Sequence, residues 1–105
     1  MPIEILDSWN EFDTNFALVK TSGGIFIISK GRSNYAVEGE GEDEYFYVQP
    51  ARVSQKCVGV YWRIGENPMD VSKTSKRFRY DLLRIKDLTG VDPFKLMELV
   101  KKEKE

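Results

Sequence analysis

The sequence predicts an α+β fold: a small antiparallel sheet of about five strands, a short N-terminal helix and C-terminal amphipathic helices. Three observations predict it. Two pairs of β-rich runs flank short turn-forming stretches, an apolar i, i+3, i+7 repeat opens the chain, and an Asp-Pro pair starts an amphipathic last segment.

In chain order, Ser8-Trp9-Asn10-Glu11 has capping-box spacing, and Trp9, Phe12 and Phe16 then share a helical face, with Asp13-Thr14-Asn15 ending the helix. "FALVK" (16–20) and "IFIISK" (25–30) flank Thr21-Ser22-Gly23-Gly24, the pattern of a hairpin. "GRSN" (31–34) reads as a second turn and "YAV" (35–37) as a short strand. "EGEGEDE" (38–44) reads as an acidic loop, because its glycines and five like charges disfavour regular structure. "YFYVQPARV" (45–53) and "CVGVYWRI" (57–64) form a second hairpin, with Pro50 at an edge or bulge because it has no N–H for the ladder. Gly65, Asn67 and Pro68 break the strand. Residues 76–81 alternate as a strand, Phe78, Tyr80 and Leu82 against Arg77, Arg79 and Asp81, and a helix follows over 82–88; Phe78, Leu82 and Ile85 would also share a helical face. Asp92 before Pro93 supplies an N-cap and the residue favoured at N1, so a last helix runs from Pro93 to about Lys102. No repeat and no linker divides the 105 residues, and one domain is expected over 1–105.

No apolar run approaches the ~18 residues that span a bilayer. Met1-Pro2-Ile3-Glu4 lacks a basic, then apolar, secretory leader, and Cys57 has no second cysteine to pair with, so a cytoplasmic location is expected. The lack of His and the "KKEKE" tail match thermophilic habits. A formal net charge of -1 hides a segregation: residues 1–51 carry -6, residues 52–86 carry +6, and residues 87–105 carry -1. Polyanion binding depends on local potential, so an acidic pI does not exclude a basic face.

Alternation in "CVGVYWRI" turns Val58, Val60, Trp62 and Ile64 to the core, with Phe46 and Val48 as their partners, and leaves Tyr45, Tyr47, Gln49 and Tyr61 outward. Register decides whether the outward sets meet. An odd loop of Ser54, Gln55 and Lys56 puts Tyr47 opposite Arg63 and Gln49 opposite Tyr61, whereas a two-residue loop buries Tyr47 with Trp62. Under the odd loop, Tyr45, Tyr47 and Tyr61 form an aromatic patch edged by Arg52, Arg63, Lys73, Lys76, Arg77 and Arg79. Rings beside cations suit single-stranded DNA or RNA, whose unstacked bases meet the rings while phosphates meet the charges. Lys30-Gly31-Arg32-Ser33-Asn34 adds a further phosphate-binding turn, and the acidic loop is either a solvated connection or a phosphate mimic resting on the basic face. The competing reading is a solvated, edge-guarding surface, or a small protein-interaction module or accessory subunit that meets an acidic partner.

Catalysis is not expected. Without His, acid–base or metal chemistry would fall to carboxylates, and the acidic loop lacks calcium-loop spacing. Cys57 reads as a small buried hydrophobe, "TSGG" and "KGRSN" are not phosphate loops, and no cofactor or metal site emerges.

"YFYV", "VYWRI", "SKRFRY" and "FKLMELV", spread over about half the chain, resemble in layout the thermophilic archaeal single-stranded-DNA-binding proteins of the ThermoDBP-related type. That resemblance implies a basic, aromatic cleft for single strands and assembly of chains through helices. It assigns no individual residue a role. Independently, Phe94, Leu96, Met97, Leu99 and Val100 cover more circumference than one buried stripe needs. The excess either packs on the open side of the sheet or joins two chains in a homodimer through Leu96, Leu99 and Val100.

Overall fold

The structure, a computed structural model, describes residues 3–12, 14–33, 43–51, 57–63, 65–70 and 74–100. Five strands, β1 (Glu4–Glu11), β2 (Thr14–Thr21), β3 (Gly24–Ser33), β4 (Asp43–Pro50) and β5 (Val58–Arg63), precede two helices, α1 (Lys76–Thr89) and α2 (Pro93–Leu99). The sheet is an antiparallel meander in the order β1-β2-β3-β4-β5, so strands adjacent in sequence are adjacent in space. The α+β class is as the sequence predicts. No helix among the described residues is long and apolar enough to cross a membrane.

The N-terminal helix is replaced by β1. Trp9 pairs with Phe16 across a tight turn between Glu11 and Thr14, and their rings stack at 5.3 Å and 6°. The i+7 spacing read as a helical face is the separation of two residues facing each other across that turn. Three apolar side chains would hardly stabilise so short a helix, whereas the hairpin gains a ladder as well as the ring stack. Asn10 ties the turn by donating through Nδ2 to the Thr14 carbonyl (3.1 Å) and to Asn15 Oδ1 (2.6 Å).

The β2–β3 hairpin forms as read, around Ser22 and Gly23. Residues 31–33 are not a turn, because β3 continues to Ser33. Asp43 and Glu44 belong to β4 and not to the acidic loop. Asn34, "YAV" and the remaining loop residues 38–42 lie outside the described residues. The expected strand over 76–81 is the first half of α1: Ser75 caps it, accepting from the Phe78 N–H at 3.0 Å, and Gly90 ends it at φ 77. Helical spacing wins there because it turns Phe78 and Ile85 into one core and lets Asp81 meet both Arg77 and Arg84. Asp92 caps α2 with Pro93 at its start, as predicted, but the helix ends at Leu99 with Val100 as its C-cap, short of the expected Lys102.

The core lies between one face of the sheet and the helices. Alternation sends Ala17, Val19, Phe26, Ile28, Phe46, Val48, Val58, Val60 and Trp62 to that face, where Phe78, Ile85, Val91, Leu96, Met97 and Val100 cover them. Leu96 and Val100 are therefore consumed by the monomer's own core, which leaves half-buried Leu99 as the single member of the expected dimer stripe with surface to offer. Alpha1 crosses the sheet from β5, where Phe78 meets Trp62 edge-on at 6.4 Å, to the β2–β3 turn. There the Thr89 carbonyl accepts from Thr21 Oγ1 (2.6 Å) and from the Gly23 N–H (3.1 Å). At the other end of β2, Asn15 Nδ2 donates to the Val100 carbonyl at 3.3 Å. No helix among the described residues covers the opposite face of the sheet.

Candidate functional site

On that open face, β4 and β5 bring three tyrosines together. Tyr45 stands opposite Tyr61 and Tyr47 opposite Gly59, and ring centroids lie 5.0 Å (Tyr45–Tyr47), 6.0 Å (Tyr45–Tyr61) and 5.6 Å (Tyr47–Tyr61) apart. The parity is that of the odd-loop reading, so the outward sets do share one face. The pairing itself differs: Arg63 meets Asp43 instead of Tyr47, and Tyr61 meets Tyr45 instead of Gln49. Two glycines explain this register. A Cβ at position 59 would fall inside the Tyr47 ring, and one at position 31 would come within 2.7 Å of the Tyr45 hydroxyl. Gly59 thus seats the Tyr47 ring against the backbone, and Gly31 lets Tyr45 lean across β3 to share a hydrogen bond with Thr14 Oγ1 at 2.8 Å.

Tyr61 is 45% exposed, and Tyr45 and Tyr47 are half-buried. Two rings are therefore fixed by packing while the third presents its face. Partial burial, then Tyr45, then the Asp43 carboxylate push the Tyr61 phenol above its ordinary range, so it stays neutral near pH 7. The described cation nearest in the ladder is Arg63, whose Nε lies 3.4 Å from Asp43 Oδ1.

The basic cluster is not on this face. Lys76, Arg77 and Arg79 are exposed on α1, which packs on the core side of β5, because Trp62 and Tyr61 point to opposite faces of the strand. Arg77 Nε (3.1 Å) and Arg84 Nη1 (3.3 Å) hold the buried Asp81 carboxylate between them, and the Arg84 guanidinium lies 5.9 Å from the Tyr80 ring. Between the tyrosine face and α1, at the edge of β5, a cleft of about 220 Å³ is lined by Tyr61, Glu66, Thr74, Ser75 and Phe78 and by no described cation. Arg52 and Lys73 lie outside the described residues. Cys57, expected in the core, is exposed just before β5, since the core face of that strand begins at Val58.

Sequence reasoning missed three features. The isolated glycines within strands, Gly31 and Gly59, were legible as points of close approach. The Trp9–Phe16 stack was hidden by the helical reading, and exposed Tyr80 by the strand reading. A larger cavity, about 750 Å³, lies on the core side between Lys30, Glu44, Phe94 and Met97; it holds Lys30 of the expected phosphate-binding turn and Leu99 of the expected dimer stripe, and none of the three tyrosines. No protein-family model matches the chain, and no curated protein sequence or solved structure matches it either.

Proposed function

We propose that the protein is a non-catalytic binder of single-stranded nucleic acid with low sequence preference, using Tyr45, Tyr47 and Tyr61 as a stacking platform. The observation that carries the reading is the tyrosine trio, two of whose rings are seated on glycines beside the exposed third: rings laid against the sheet lose little freedom when a base stacks on them. A strand draped over the edge of β5 sets its bases on the rings and turns its phosphates towards Arg63, Lys76, Arg77 and Arg79. Rings and cations on opposite flanks of one edge suit a flexible single strand better than a rigid duplex. Arg63 is partly neutralised by Asp43, so α1 supplies most of the phosphate attraction in this arrangement.

Anisotropy with labelled single- and double-stranded DNA and RNA of mixed sequence tests it. Single strands should bind, and log K should fall with log salt by ~0.7 per phosphate contacted. No single-strand binding at low salt ends the proposal. One observation favours a second reading: Tyr80 and Leu83 are exposed on α1 among Lys76, Arg77 and Arg84, a composition that also fits an acidic protein partner. Binding that survives Tyr61→Ala but not charge removal on α1 would favour that reading.

A further inference from the structure

The opposite edge of the sheet has different chemistry. All eight residues of β1 are exposed, among the described strands it has β2 alone as a neighbour, and its charged residues are Glu4, Asp7 and Glu11, with no Lys, Arg or Pro. Natural edge strands are guarded by charged side chains, by prolines or by bulges; β1 has a bulge, where the register slips between Ile5 and Asp7, and carboxylates, which repel an acidic strand and attract a basic one. Beyond the bulge, Asp7 to Glu11 is a regular strand with a free side. Ser8 shows what that side lacks: its N–H donates to Asp7 Oδ1 at 2.8 Å, a carboxylate standing where the carbonyl of a partner strand would stand.

Apolar surface accompanies the unpaired edge. Ile5, Leu6 and Trp9 are exposed, with Trp9 held rigid by its stack on Phe16. Phe12, at the turn, is 93% exposed and sits at φ 58, a left-handed conformation unfavourable for a bulky aromatic. Core packing does not require Phe12 in this position. A partner that buries its ring would make use of it.

We infer that β1 is a docking edge for an extended, basic and apolar segment of another protein, which adds a sixth strand beside Asp7–Glu11. The incoming carbonyl replaces Asp7 on the Ser8 N–H, and the released carboxylate, with Glu11, meets Lys or Arg side chains of the segment. Asp7, Trp9 and Glu11 share one face of β1, so the residue of the segment between those cations lies against the Trp9 ring, and the end of the segment reaches Phe12 at the turn. Charge selects this occupant: a second copy paired through β1 would set the carboxylates of both strands side by side with no base between them, and nucleic acid is repelled. This edge is separate from the tyrosine platform, and the inference does not rest on nucleic-acid binding.

Two labelled, end-capped peptides test it, one alternating lysine with valine and one alternating glutamate with valine. The lysine peptide should bind saturably and more weakly as salt rises, and the glutamate peptide should not. Ser8→Pro, which removes the outward donor, should weaken the lysine peptide by roughly tenfold. Asp7→Lys combined with Glu11→Lys should reverse the preference, and this variant serves if the proline variant does not fold. Equal binding of both peptides, no binding of either, or indifference to the β1 variants overturns the inference. So does concentration-dependent dimerisation abolished by Ser8→Pro, which would make a second copy the occupant.

Discussion

Each edge strand of the sheet carries one tryptophan, and the two stand in opposite surroundings. Trp62 on β5 is 8% exposed, meets Phe78 edge-on and donates through Nε1 to Glu44 Oε1 at 2.6 Å. Trp9 on β1 is 39% exposed and touches the rest of the molecule chiefly through Phe16. Beta5 is backed by a basic helix, whereas β1 is bare and acidic. The contrast holds for the two edge strands and not for the halves of the chain, because Asp43 and Glu44, acids of the N-terminal half, stand on β4 beside β5, where Asp43 meets Arg63. Such a molecule can offer its two ends to two kinds of partner.

The tryptophans give the sharpest test of that contrast. Trp62→Ala should cost ~3–5 kcal/mol by chemical denaturation, since it opens a cavity beside Phe78 and leaves Glu44 without its donor. Trp9→Ala should cost only about 1 kcal/mol, the order of one exposed ring pair. Equal losses would mean that the β1 hairpin belongs to the core. Gly59→Val comes next: its side chain evicts the Tyr47 ring, so a loss of ~1–3 kcal/mol is expected together with weaker oligonucleotide binding. A melt and an anisotropy titration on one preparation check both.

Tyr61→Ala should leave the melting temperature nearly unchanged yet weaken single-strand binding by ~1–3 kcal/mol, while Trp9→Ala leaves that binding alone. A loss of oligonucleotide affinity with Trp9 would extend the binding surface across all five strands. The smallest effect is in pH. Because folding raises the Tyr61 phenol, its contribution to stability is complete below the ordinary tyrosine pKa and is lost as pH rises through the raised value. Ultraviolet titration should show a late-ionising tyrosine that Tyr61→Phe removes.

Hairpins with glycine-rich turns and the Asp92-Pro93 start were legible because each is decided by neighbours in sequence. The tyrosine face was legible in parity, since alternation fixes which residues share a side. Its register was not, because it is set by Tyr47 settling on Gly59 and by Arg63 meeting Asp43, contacts made only once β4 and β5 come together. Segment 76–81 fits both periods and segment 8–16 fits the helical one, and in each tertiary contacts decided: Trp9 on Phe16 made the first a hairpin, and Phe78 with Ile85 made the second a helix. The relation of basic helix to tyrosines was the costliest omission. Sequence proximity suggested one surface, but Tyr61 and Trp62 are neighbours that face opposite ways.

The hydrogen bond from Thr21 to the Thr89 carbonyl spans 68 residues of sequence, whereas every strand of the meander joins its neighbour through a far shorter loop. Closing short loops first costs less chain entropy, so the hairpins should assemble early and the helical cover should dock on a sheet already formed. Thr21→Val would then speed unfolding and leave the folding rate nearly unchanged, which the two arms of a stopped-flow denaturant profile separate directly. Until the helices arrive, both faces of the sheet are open to water. During synthesis the apolar face that later receives α1 and α2 is therefore exposed until the last quarter of the chain has been made, and the acids of β1 are the charges that discourage such intermediates from joining edge to edge.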